Sequence, residues 1–278
     1  MKQTAVVIAP GRGTYNKNEL GYLKRHHSNA PNLDQFDAYR ATLGQKKISE
    51  LDTFPQFSGP THTRGDNAAP LIYACAYSDF VSIDRDLFDI VGITGNSMGW
   101  YIALACAGAL DPMGGMQVVN TMGTLMQVHM IGGQLIYPFL DDNWQEIPGR
   151  RDNLLSEVAT INARPDHDLG LSIDLGGMLV LAGNEAGLSA FEKSVPALQG
   201  RFPMRLQNHA GFHTHLQRPI SKLGFDALSE QLFVQPTIPL IDGRGAIWYP
   251  NSTDISALYN YTLGHQVIEP YDFTAAVR

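Results

Sequence analysis

Apolar residues along the chain gather into short runs that stop at glycine- or proline-rich turns, the pattern of buried strands and helices in an α/β protein. Residues 6–9 (Val6, Val7, Ile8, Ala9) are β-rich and stop at Pro10-Gly11-Arg12-Gly13, which predicts a buried strand and a tight turn. Residues 67–81 are mostly small and apolar and predict a buried helix. Residues 88–94 predict a second strand, broken by Gly95-Asn96-Ser97-Met98-Gly99 before a small-residue helix over 100–110. Near Leu125 the character changes. Residues 136–137, 158–161, 169–173 and 178–182 predict short strands, and 186–198 a helix. This stretch predicts a small α+β insert over 126–204 between core segments 1–125 and 205–278. Beyond it, 219–232 predicts an amphipathic helix and 237–241 a strand.

Composition narrows the functional classes. With 278 residues, 44% of them hydrophobic, the chain can bury a full core and is not disordered. Twenty Lys and Arg against 27 Asp and Glu leave a net charge of −7, which lacks the basic face that nucleic-acid binding by counterion release needs. Cys75 and Cys106 are the two cysteines, both in apolar runs, and read as buried thiols rather than a disulfide framework. The N-terminal apolar run is too short for a signal-peptide core, and the longest uncharged apolar stretch, 98–110, is too short to span a bilayer. The expectation is a cytoplasmic protein without nucleic-acid or membrane partners.

The strongest chemical signal is Gly95-Asn96-Ser97-Met98-Gly99. A G-x-S-x-G turn between a strand and a helix is a nucleophile elbow. The serine sits on a strained turn, so positions two residues away on either side must lack side chains that would clash. The Met98 amide then faces the place where an oxyanion would form, at the start of the following helix. Such a serine needs a base. His26 and His27 lie in a polar basic stretch and read as surface. His62, His129, His167 and His265 are isolated. His209, His213 and His215 are clustered, but with no nearby Cys or carboxylate and no HExxH spacing they make a poor metal site.

The order of these motifs resembles the malonyl-CoA:acyl carrier protein transacylase family, the acyltransferases of fatty-acid and polyketide synthesis. The family's P-G-Q-G turn is similar to Pro10-Gly11-Arg12-Gly13, and its G-H-S-L-G to Gly95-Asn96-Ser97-Met98-Gly99. Its G-A-F-H-[ST] resembles Ala210-Gly211-Phe212-His213-Thr214, and its P-x-I-P strand Pro236-Thr237-Ile238-Pro239. Its late L-Y-N and P-V-Q-W-T elements resemble Leu258-Tyr259-Asn260 and Pro270-Tyr271-Asp272-Phe273-Thr274, so the match runs through nearly the whole chain. The resemblance implies an α/β-hydrolase-like core with a parallel sheet and an inserted ferredoxin-like subdomain. It also implies Ser97 as acyl-carrying nucleophile, His213 as general base and the amides of Arg12 and Met98 as oxyanion hole. Substrate contacts would fall at Gly11, Asn96, Met122, Met178 and Phe212. An acyl-CoA would be the donor, the phosphopantetheine thiol of an acyl carrier protein the acceptor, and no metal or other cofactor would be required.

The departures bear on the acyl group. Met122 stands where the family has its malonyl-binding arginine, and a thioether cannot pair a carboxylate. An uncharged acyl group is one reading; the other is that Arg12, in place of the family's glutamine, supplies the charge. Asn96 replaces a histidine, and Met178 a substrate-positioning glutamine. Trp100 after the elbow either narrows the channel or packs in the core. Phe212 resembles the variant associated with unbranched acyl groups. In the family a backbone carbonyl at the P-V-Q-W-T glutamine orients the histidine; that position is Asp272, whose carboxylate either completes a Ser-His-Asp triad or is solvated. Family members continue some tens of residues beyond the position of Arg278, so an apolar face left open there would need a partner. Besides transfer, two readings stay open: a thioesterase using the same Ser97 and His213, and a catalytically impaired scaffold subunit.

Overall fold

The computed structural model describes residues 2–278. Strand β1 (Gln3–Ala9) pairs in parallel with β2 (Phe88–Gly95), with Ala9 opposite Gly95. On the other side of β2 lie the short β7 (Leu240–Ile241), parallel to it, and β8 (Ile247–Trp248), antiparallel to β7, giving the order β1-β2-β7-β8. The elbow helix Gly99–Cys106 packs on the central pair, and the helices Gly65–Val81 and Pro112–His129 pack on it and on each other. Every residue of the elbow helix is buried, as its all-round apolar sequence requires. Val6, Ile8 and Val91 are exposed along β1 and β2.

The second sheet is built from a β-α-β-β-α-β run. It comprises β3 (Gly133–Pro138), a helix (Arg150–Asn162), β4 (Leu169–Asp174), β5 (Met178–Gly183), a helix (Glu185–Ser194) and β6 (Met204–Arg205). The order β6-β3-β5-β4, antiparallel at each of these contacts, is the ferredoxin-like arrangement. It has its own core around Leu135, Tyr137, Leu179, Leu181 and Phe191. A ninth strand, β9 (Tyr271–Asp272), adds to its edge parallel to β4, so the end of the chain is woven into this sheet.

Three expectations change. Residues 158–161 lie in the helix Arg150–Asn162, where Leu154, Val158 and Ile161 make one buried stripe at helical spacing. The division at 125/126 falls inside the helix Pro112–His129, which packs on the larger core and ends at Met130 in a left-handed conformation (φ 42°). The expected strand over 237–241 is reduced to Leu240–Ile241, because Thr237 instead hydrogen-bonds Ala107 after the elbow helix.

Arg40, fully buried in the helix Leu33–Thr42, ties the helices that flank the site. It donates to the Lys46 and Asp66 carbonyls (2.6 and 2.8 Å), to Asn67 Oδ1 (2.9 Å) and to Asn120 Oδ1 (2.5 Å). Burial pulls its pKa down to about 10, so it stays charged at neutral pH and is held by neutral acceptors. Arg40→Ala leaves these acceptors unpaired. At about 1–3 kcal/mol for each acceptor that finds no water, the expected loss is about 3 kcal/mol or more, read as a lower urea midpoint.

Candidate active site

Parallel pairing of β1 and β2 brings their C-terminal turns side by side, the edge where open α/β sheets bind ligands. The turns touch: a Cβ on Gly11 would lie 2.9 Å from the Asn96 carbonyl oxygen. A Cβ on Gly95 would strike the backbone of Gly99, and one on Gly99 the Ala9 carbonyl, which is the steric reason for the elbow's glycines. Ser97 itself has φ 56°, a left-handed strain typical of functional turns. The turn is held by Gly99 N–H donating to Asn96 O (2.8 Å) and by the Gln266 side-chain amide donating to Ser97 O (3.0 Å). Tyr271, on β9, donates its hydroxyl to the Gly95 carbonyl.

His213 reaches the same point from the other side of the molecule. It too has a left-handed backbone (φ 56°). Ser172 of β4 donates to the Phe212 carbonyl (2.9 Å), Gly211 N–H donates to Ile131 O (2.7 Å) and His213 N–H to Val267 O (3.1 Å). The result is a Ser97 Oγ to His213 Nε2 distance of 2.7 Å. The other ring nitrogen, Nδ1, lies 2.6 Å from the Gln266 carbonyl. A carbonyl only accepts, so Nδ1 carries the proton and Nε2 presents its lone pair to the Ser97 hydroxyl. Burial lowers the His213 pKa from 6.5 to about 4, keeping the imidazole neutral.

The orienting group expected at Asp272 is therefore elsewhere. Asp272 is exposed, and its carboxylate caps the last helix by accepting from Ala275 N–H (2.9 Å). Gln266 does the work through its main chain, while its side chain clamps Ser97 and accepts from the Tyr101 hydroxyl (3.0 Å). A π-helical turn, Tyr261–His265, immediately precedes it, a distortion common near functional sites. No residue motif could reveal this partner, since every residue carries a carbonyl.

Ser97 and His213 border a narrow cavity whose wall includes Arg12, Tyr101, Val119, Met126 and Phe212. Among the described residues, no backbone hydrogen bond uses the amides of Arg12 or Met98. Met122 and Met178 are not in the wall. Met122 is fully buried on the neighbouring face of its helix, and a Cβ on Gly224 would lie 2.9 Å from its sulfur. Met178 opens β5 opposite Pro138 and packs on the smaller core. Asn96 lies beside Gly11, its Oδ1 buried without a hydrogen-bond partner. Trp100 is core: fully buried, it donates to Thr262 Oγ1 (3.0 Å). Of the other clustered histidines, His215 pairs with Asp168 (2.8 Å) and His209 contacts the Gln207 carbonyl (2.9 Å). Both cysteines are buried, and desolvation pushes the Cys106 thiol up to about 12.

The fold has solved counterparts. A malonyl-CoA:acyl carrier protein transacylase from Synechocystis superposes with TM-score 0.73 at 19% identity, over 98% of this chain and 83% of that one. An acyl carrier protein S-malonyltransferase from Vibrio cholerae gives 0.77 at 20% identity, over 99% and 85%. A malonyl-transacylase in complex with a type II polyketide synthase acyl carrier protein gives 0.77 at 18%, over 99% and 84%. This chain has the malonyl-CoA:acyl carrier protein transacylase fold. No protein-family model matches the sequence and no curated protein does, so the likeness to the transacylases is one of structure. Among the described residues, no helix is long and apolar enough to cross a membrane.

Two outcomes follow. Because burial holds His213 below its ordinary value, the unfolded chain takes up that proton first. Stability then falls as pH drops from 6.5 toward 4, and any reaction that uses His213 as base loses rate with an acid limb near pH 4 rather than 6.5. A pH series of Ser97 labelling and of urea midpoints checks both. Gln266→Leu strands the Ser97 carbonyl and the Tyr101 hydroxyl but keeps the main-chain carbonyl. It is expected to cost about 1–3 kcal/mol in urea denaturation while leaving the acid limb in place.

Proposed function

We propose that this chain is a serine acyltransferase that takes an acyl group from an acyl-CoA and passes it to the phosphopantetheine thiol of an acyl carrier protein. The observation that carries the reading is the 2.7 Å contact between Ser97 Oγ and the neutral, carbonyl-oriented His213, at the mouth of a cavity in a transacylase fold. In the first half-reaction the Ser97 oxygen attacks the thioester carbonyl and its proton moves to His213 Nε2. The tetrahedral oxyanion is held by the free amides of Arg12 and Met98, each worth about 3 kcal/mol in comparable sites. The C–S bond then breaks, CoA thiolate takes the proton from His213, and the acyl group remains as an ester on Ser97. In the second half-reaction His213 takes the proton of the carrier thiol, whose sulfur attacks the ester, and Ser97 recovers its hydrogen. The carrier-protein acceptor is supported by the neighbour solved in complex with its acyl carrier protein. The scaffold reading has against it a strained serine turn and a correctly tautomeric base, both of which a non-catalytic chain has no need to keep.

The test is intact mass after incubation with malonyl-, acetyl-, succinyl- and longer acyl-CoAs, followed by addition of pantetheinylated carrier protein. The expected result is an acyl increment on Ser97 that moves to the carrier. Ser97→Ala is expected to remove the increment and to lower transfer by about 10³-fold or more. Release of free acid with no acyl carrier product would make the chain a thioesterase instead.

A further inference from the structure

We propose that Arg12 selects the acyl group, its guanidinium holding the carboxylate of a short carboxyacyl thioester in the cavity beside Ser97. This rests on the acyl transfer read above and adds its substrate class.

Arg12 is the one charged residue in the wall of that cavity among the described residues, and no carboxylate accompanies it there. Its hydrogen bonds run from Nη2 to two main-chain carbonyls, Thr63 (3.0 Å) and Asn208 (2.9 Å), which fix the head group without neutralising it. Nε is buried with no acceptor. The guanidinium carbon stands 5.7 Å from the centre of the Phe212 ring, another wall residue. Burial lowers the Arg12 pKa to about 10 against the opposing charge of Asp66, so the cation persists at neutral pH; burial and then the Arg12 charge push neighbouring His209 down to about 3, leaving that ring uncharged. A guanidinium held by neutral acceptors, with Nε buried and unpaired, is a costly arrangement that a ligand carboxylate would relieve by a charge-assisted hydrogen bond.

The part of the wall contributed by the long helix has no such group. The helix Pro112–His129 shows the cavity Val119, Gly123 and Met126, all uncharged, while Met122 is turned into the core. Any anionic end of an acyl group must therefore be met from the β1 turn. The same residue offers its amide to the thioester oxyanion and its side chain to the far end of the acyl group. One residue spans both, so the acyl chain that fits between them is short. An uncharged acetyl group would close the cavity over Nε and leave it unpaired.

Rates of Ser97 acylation by malonyl-CoA and acetyl-CoA, compared in the native chain, Arg12→Gln and Arg12→Lys, test this. The native chain is expected to favour malonyl at least tenfold. That ratio should fall at least tenfold in Arg12→Gln and recover in part in Arg12→Lys, which also guards against a variant that fails to fold. Equal or faster acetyl loading by the native chain overturns the proposal, as does an unchanged ratio with both rates lowered together. Calorimetric binding of both thioesters to Ser97→Ala, with and without Arg12→Gln, separates this from the transfer reading. Malonyl-CoA preference that depends on Arg12, in a chain whose Ser97 is never acylated, ends the transfer reading and keeps the carboxylate site. Equal binding of the two thioesters ends the site.

Discussion

Everything at the site depends on parallel strands ending at the same edge. With Ala9 opposite Gly95, the turn after β1 and the turn after β2 emerge together, and glycines at 11, 95 and 99 remove the side chains that would hold them apart. A serine at the apex is then forced into a left-handed backbone and its hydroxyl is pushed clear of the sheet. The β1 turn, in contact with the elbow, supplies both a free amide and a buried cation. A shift of one position in the β1–β2 register would pull these groups away from the serine.

The smaller sheet is the other half of the constraint. It does not supply the proposed base, but it fixes the loop that does, through Ser172 on β4 and the polar pair Gln134–Ser172 behind it (2.7 Å). Its added edge strand β9 sends Tyr271 back to the Gly95 carbonyl, so the same sheet steadies both partners of the Ser97–His213 contact. The smaller sheet thus buttresses a hydrogen bond to which it contributes neither partner. The neutral main-chain carbonyl behind His213 matters here. An ionised carboxylate buried in that place would raise the imidazole pKa, whereas a carbonyl sets the tautomer with less effect on the charge.

The cavity joins apolar walls to one cation, Arg12. Apolar lining desolvates whatever binds and so sharpens the difference between a ligand that pairs Arg12 and one that does not. Met122 is turned into the core, and the one cation in the cavity wall comes from the P-G-R-G turn. Taken singly, the two positions suggest opposite acyl preferences; in space only Arg12 borders the cavity.

Much of this was legible in the chain alone. Glycine spacing around Ser97, the apolar run before it and the small-residue run after it specify an elbow, because sterics act over a few residues and leave their mark locally. Ordered motifs specified the fold, and Ser97 with His213 could be named as partners. Residues 158–161, the last turn of the helix over 150–162, were misread as a strand because a short apolar run has no period of its own until its flanks are known to be helical. Asp272 was a candidate orienting group, beside its reading as a solvated residue, because a carboxylate is visible in a sequence; Gln266 was overlooked because its carbonyl is not. Met122 and Met178 were placed in the site by correspondence, yet a rotation of about 100° per helical residue separates a cavity wall from a core face, and strand register decides the same for a sheet. The sequence by itself determined which local turns and runs the backbone must form, since those depend on neighbours in the chain. Only the tertiary structure decided which atoms face the cavity, because facing is set by packing between segments far apart in sequence.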